Sequence, residues 1–238
     1  MKSHILLAEW NNLVMANYEV PKELLLPFVP YKTELDFFEG NTYVSLIGFM
    51  FLNITMHGIS IPFHTNFEEV NLRFYVKYNN HGNWKKGVVF IKEIVPKPGI
   101  AFVANNIFGG KYATMKMKHF HIDSGQFLEA GYEWKYQNKW NKLSANANKK
   151  SVPIGKASHE EFIADHYWGF TKYSDSKTYE YEIEHPQWET LEVISHTVNC
   201  NFAALYGEEF SLLNNAKPKS VFMIKGSEVR LHQKRILE

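Results

Sequence analysis

Glu69, Asn71, Arg73 and Tyr75 fall at every second position of the segment 66–78, NFEEVNLRFYVKY. In an extended chain they share one face, and Val70, Leu72, Phe74, Val76 and Tyr78 share the other. A polar face of this kind has two readings. It is a solvated sheet surface, as in many antiparallel sheets, or it is the wall of a cavity inside a wide barrel. The guanidinium of Arg73 presents a fork suited to a carboxylate, and a neighbouring carboxylate would hold that fork in place. These four residues are therefore the candidate ligand-binding set, for a small carboxylate-bearing or aromatic compound.

A second concentration of chemistry is 109–121, GGKYATMKMKHFH. Read as one strand, it puts Lys111, Ala113, Met115, Met117 and His119 on one face. A lysine desolvated among such neighbours loses basicity and can become a nucleophile. The competing reading is that the Gly109-Gly110 turn resets the phase and leaves Lys111 in water. The demand on a nucleophile is steep. An ordinary lysine is neutral in only about one molecule in 2,500 at pH 7, and lowering its pKa by about 3 units costs the charged form roughly 4 kcal/mol.

Other reactive side chains form no recognisable constellation. There are 11 histidines. His119 and His121 would share a strand face, but a metal site needs further ligands that the sequence does not name. The single cysteine, Cys200, sits between two asparagines and reads as a small buried residue. No Walker or Rossmann glycine loop, G-x-S-x-G elbow or H-E-x-x-H pair occurs, so no nucleotide cofactor or zinc proteolysis is expected. No cofactor and no metal are expected at all.

The elements that must position these residues are mostly strands. Most segments alternate with period two, clearly so at 66–78 and 178–185; 42–51 is a strongly apolar run whose β-branched and aromatic residues, after the Gly40-Asn41 turn, favour a buried strand, 220–226 is another short strand, and Asn79-Asn80-His81-Gly82 reads as a hairpin turn into 86–95. Short helices are expected at 21–26, 99–108, 158–165 and 195–206. Ser158 with Glu161 three residues later makes a capping box. The polar run 141–151 reads as a surface loop. Many strands and few helices point to a mainly β fold, an antiparallel barrel with a few short helices and a central cavity. With no repeat and no clear linker, residues 1–238 read as a single domain.

Composition narrows the partner class. The 238 residues are 45% hydrophobic and 16% aromatic, enough for a large core. A net charge of +1 argues against a nucleic-acid partner. One cysteine leaves no internal disulfide, and no apolar stretch is long enough to span a membrane. The reading is a soluble, cytoplasmic protein with a small-molecule ligand and no nucleic-acid or membrane partner. Assembly into a homo-oligomer is left open.

Several segments together resemble a known family. They are Trp10 to Leu13 with Asn17 to Val20, Glu34-Leu35-Asp36 with Tyr43 to Leu46, Asn66 to Val76, and His166 to Gly169 with His185 to Trp188. The set, and above all the F-x-E-V-N-L-R-x-Y-V stretch, resembles the bacterial domain of unknown function 2071 (YqjF-like) over nearly the whole chain. That family is similar in fold to acetoacetate decarboxylase, which implies a mostly antiparallel β-barrel around a central cavity. Acetoacetate decarboxylase forms a Schiff base through a lysine. Alignment at Phe108 to Tyr112 places either Lys111 or, one residue on, Tyr112 on that position. The decarboxylase glutamate just upstream is replaced by Asn105 and Asn106, and its adjacent second lysine is missing, since Tyr112 follows Lys111. A glutamate of Phe67-Glu68-Glu69 resembles another decarboxylase pocket residue. Two functions follow: a binding module anchored by Arg73, or a Schiff-base lyase acting on a β-keto acid through Lys111.

Overall fold

The computed structural model describes residues 4–238. Alternating and β-branched or aromatic sequence becomes strand at 42–51, 66–78, 86–95, 178–184 and 220–226. The first long strands are β1 (His4–Val20), the two-residue β2 (Glu34–Leu35), β3 (Thr42–Met56), β4 (Phe67–Asn80) and β5 (Asn83–Val95). β4 and β5 meet in the expected hairpin, with His81 and Gly82 both at positive φ, the geometry a two-residue turn of this hand requires. Helix α1 (Lys22–Leu25) lies between β1 and β2, and helix α2 (Pro98–Phe108) leads into the short β6 (Tyr112–Thr114). β7 (Lys116–Asp123), β8 (Phe127–Tyr136) and β9 (Lys139–Pro153) form a meander. After helix α3 (His159–Ala164) come β10 (Trp168–Ser174), β11 (Lys177–Glu184) and β12 (Glu189–Asn199). Helix α4 (Phe202–Tyr206), β13 (Ser220–His232) and β14 (Arg235–Leu237) complete the chain.

The strands pair in the order β14-β11-β10-β5-β4-β3-β1-β13-β12-β9-β8-β7, and β11 also pairs β13. That last pairing, Ile183 with Leu231 and Glu184 with Arg230, closes β11, β10, β5, β4, β3, β1 and β13 into a ring of seven strands. The class is mainly β, and most pairings are antiparallel. Two short pairings are parallel, β5 with β10 and β5 with β6, because the chain returns to β5 through helix-containing connections rather than hairpins.

Two cores share these strands. One face of β4, with Val70, Leu72, Phe74 and Val76, packs outside the ring against Trp134, Leu143 and Phe202 of the meander and α4. The ring interior holds the other core, with Trp10, Phe49, Phe51, Tyr75, Phe162 and Tyr181.

Two local expectations are corrected. The polar run at 141–151 is not a loop but most of β9, hydrogen-bonded on both sides. Leu143, Ala145 and Ala147 are its buried face, and alanines carry too little hydrophobic contrast to announce a strand. The helix expected at 195–206 is β12 up to Asn199, and only Phe202–Tyr206 is helical. Asn201 caps it, accepting from the Ala204 amide at 3.1 Å. The α3 cap forms in half as read: Ser158 Oγ accepts from the Glu161 amide, but the Glu161 carboxylate accepts from the Ala157 amide, since that of Ser158 donates to the Gly155 carbonyl.

Candidate functional site

Each of the seven ring strands contributes a side chain to one cavity of about 260 Å³. They are Leu6, Phe51, Glu69, Glu93, Thr171, Tyr181 and Leu231. Helix α2 and the 57–66 loop cover this end of the ring, adding Ile100, Val103, Ile59 and Ile61. The walls are apolar. The base is not: Glu69, Glu93, Tyr112 and Tyr181 meet there.

Register brings the base together. Asn71 of β4 lies opposite Glu93 of β5, and Glu93 lies opposite Tyr112 of β6, so three neighbouring strands present them side by side. Glu93 faces inward only because of a β-bulge. Arg73 pairs Phe90 while Leu72 pairs Lys92, leaving Ile91 as the extra residue. Strict alternation from Val88 and Phe90 would carry Lys92 into the ring and turn Glu93 out. Tyr112 is fixed by Asn105 of α2, whose side chain accepts from the Tyr112 amide at 2.8 Å and donates to its carbonyl at 3.1 Å. Both base tyrosines pack on a glycine. A Cβ on Gly110 would lie 2.7 Å from the Tyr112 ring, and one on Gly169 would lie 2.2 Å from that of Tyr181.

Glu69 and Glu93 are 2% and 4% exposed. Asn71 Nδ2 donates to Glu69 Oε1 at 2.9 Å, while Oε2 has no partner in hydrogen-bond geometry. Burial raises the Glu69 pKa to about 7, against the opposing influence of Asn71, Tyr112 and Arg73. Burial, then the charge of Glu69, pushes Glu93 well above the usual carboxylate range. Burial and the two carboxyls likewise hold Tyr112 and Tyr181 far above an ordinary phenol. Two buried carboxyls in one pocket cannot both ionise cheaply, so near neutral pH the pair retains a proton.

The residues singled out from sequence are divided by the structure. Glu69, Asn71, Arg73 and Tyr75 are all buried on the inner face of the ring. Of the four, Glu69 lines the cavity, and Asn71 holds it. Arg73 and Tyr75 lie further along β4 and do not line it. One Arg73 amino group donates to the Ile163 carbonyl at 3.3 Å. The Tyr75 hydroxyl is engaged with Ser45 Oγ at 2.5 Å, which donates on to Asn17, so it ties strands rather than facing a ligand. Tyr112 is in the base. Lys111 is outside: its side chain is exposed, with the ammonium 5.7 Å from the Phe28 ring centroid. Partial burial, with Lys172 nearby, lowers its pKa against the pull of Glu93. The single strand read over 109–121 is broken at Met115, and Lys111 precedes β6 rather than sharing its phase. His119 contacts Glu68 at 3.2 Å on the opposite face of β4. Among the described residues no group of three His, Cys, Asp or Glu is placed to hold a metal ion.

Glu93 and Tyr181 were not anticipated as site residues. Tyr181 was visible as an alternating aromatic behind Trp168-Gly169. Glu93 had one signal, a carboxylate inside the apolar run VVFIKEIV, and the bulge hid its direction.

Comparison with known proteins supplies the remaining context. The family model for DUF2071, described as an uncharacterized conserved protein, matches residues 7–228. The uncharacterized protein YqjF of Bacillus subtilis (strain 168) is 27% identical over 220 residues, covering 89% of this chain and 87% of its own. Among solved structures, acetoacetate decarboxylase from Legionella pneumophila superposes with a TM-score of 0.66 at 15% identity, over 100% of this chain and 88% of that one. The enduracididine biosynthesis enzyme MppR, complexed with pyruvate, gives 0.67 at 12%, over 100% and 92%. An acetoacetate decarboxylase-like enzyme from Sphingomonas wittichii RW1 gives 0.66 at 10%, over 99% and 94%. At these identities the likeness is one of fold.

Proposed function

The chain belongs to the DUF2071 family, and from that premise we propose that it binds a small, largely apolar or aromatic molecule inside the ring of strands. The observation that carries this reading is the cavity itself, built from all seven ring strands and closed at its base by buried polar groups. A volume of about 260 Å³ suits a compound of one or two rings. Apolar walls supply affinity, and a few convergent polar atoms supply orientation. That a protein of this fold is described in complex with pyruvate supports small-molecule uptake as a use of the architecture.

The Schiff-base lyase reading has less support. It needs a lysine at the ligand, and among the described residues no lysine lines the cavity. The residue at the base is Tyr112, the alternative alignment partner of the decarboxylase lysine.

The test uses indole, a neutral aromatic probe, and the variant Ala104→Trp, which fills the cavity from α2. Indole should raise the melting temperature of the wild type and leave the variant unmoved. A ligand at about 100 times its Kd adds about 2.7 kcal/mol. An equal response in both proteins would place uptake elsewhere and end this reading.

A further inference from the structure

We infer that the ligand is an organic cation: a small aromatic or alkyl amine whose ammonium group is received between the carboxyls of Glu69 and Glu93. The inference rests on the cavity being a ligand site and adds the chemistry of the head group.

Three observations converge on it. The first is charge. The base holds two carboxyls, while among the described residues no lysine or arginine lines the cavity. Neither carboxyl makes an ion pair among the described residues. Arg73 along β4 and Lys111 ahead of β6 act on the pair from outside the cavity lining, and neither forms an ion pair with it among the described residues. Burial keeps a proton on the pair in the free protein, and a ligand cation can take its place. The second is hydrogen bonding. Glu69 Oε2 is buried on a residue that lines the cavity and has no partner in hydrogen-bond geometry among the described residues, so when ionised it is an acceptor open to a donor. An ammonium or a neutral amine donates, whereas a ligand carboxylate would only accept and would be repelled. The third is the surrounding rings. Tyr112, Tyr181, Phe51 and Phe67 line the same cavity, and aromatic faces attract alkylammonium groups, most strongly when water is excluded.

The head group should therefore exchange with the proton. The groups that face the carboxyl pair are Asn71 and Arg73 from β4, Tyr112 and the preceding Lys111, and Tyr181 from β11. His64 lines the cavity from the 57–66 loop. Burial keeps the two phenols protonated through neutral pH. The proton that moves belongs to the carboxyl pair. Affinity for a cation then rises with pH as that proton becomes easier to lose. Affinity for a neutral analogue does not.

Three probes that share a phenylethyl body and differ in head group separate the possibilities: 2-phenylethylamine, 2-phenylethanol and 3-phenylpropanoate. Calorimetric titration should show the amine binding at least about tenfold more tightly at pH 8 than the alcohol. The anion should bind more weakly than either. Amine binding should release about one proton, read from titrations in buffers of different ionisation enthalpy. Glu93→Gln should erase the preference for the amine while retaining the alcohol, which also shows that the variant is folded. If alcohol and amine bind alike, or the anion binds best, the cation proposal fails while the cavity reading stands. If none of the three binds and indole is also refused, both fail.

Discussion

A carboxyl that keeps its proton to about pH 7 makes folding itself pH-dependent. In the unfolded chain Glu69 loses its proton near 4.5, and in the native ring near 7. The native state thus holds the proton more tightly, and the stability this provides is complete below 4.5 and lost as pH rises to about 7. The size is on the order of 3 kcal/mol. His166 works in the opposite sense. Buried against Tyr75, with Asp36 at 3.9 Å, it has its pKa lowered by burial to about 4, so it stabilises fully above 6.5 and loses that contribution as pH falls towards 4. Between about 4.5 and 6.5 Glu69, together with Glu93, opposes His166. Removing Glu69 removes a falling contribution, so the slope of melting temperature against pH across that window should be more positive in Glu69→Gln than in the wild type. Parallel profiles would remove the assignment of Glu69 as a titrating group. Lys111 invites a separate test. Carbon dioxide release from acetoacetate should stay at background in the wild type, and Lys111→Ala should bind indole as the parent does. Turnover lost only in the variant would restore the lyase reading.

At the level of elements, the site depends on how α2 and β6 meet β5. Asn105 is exposed, yet its two hydrogen bonds to the Tyr112 backbone fix where β6 begins. Asn105→Ala should cost about 1 kcal/mol of stability, the usual scale for such bonds. It should weaken phenylethylamine binding by more than the neighbouring Asn106→Ala, whose side chain bonds only within its own helix. Equal effects at 105 and 106 would show that Tyr112 is held by something else. Gly110→Ala is the sharper perturbation. Its Cβ meets the Tyr112 ring at 2.7 Å and Glu93 Oε2 at 3.3 Å, so the tyrosine must move out of the base. Binding should fall more than stability does, measured side by side by titration and by denaturant midpoint.

Across the whole molecule, the strands that enclose the cavity also cover the second core. β4 turns Glu69 and Tyr75 inward and Leu72 and Phe74 outward, so neither core can be lost while the other keeps its wall. We therefore expect the chain to unfold as one domain, with a single calorimetric transition whose measured and van't Hoff enthalpies agree. Trp134 is fully buried in the outer core, remote from the ligand. Trp134→Ala should remove about 3–5 kcal/mol without splitting that transition. Two separated transitions would mean that ring and meander are independent units.

Side-chain pattern determined the fold class. Alternation over 66–78 and 178–185 marks strands because the two faces meet different surroundings, and the β-branched and aromatic run at 42–51 marks a strand buried on both faces. The inner and outer faces of β4 were legible for the same reason, and the motif at 67–76 carried the family. Where contrast was weak, as in the alanine-rich buried face of β9, the strand was hidden. The candidate site is half legible: Glu69, Asn71 and Tyr112 stand out in the sequence, Glu93 does not, and of the two places open to Lys111 the structure has the exposed one ahead of β6. The difference is physical. Which residues reach the cavity is set by ring closure, by the pairing of β6 with β5, and by one extra residue, Ile91, that reverses the phase of β5. Those are contacts between segments distant in sequence, and a local pattern of side chains cannot encode them.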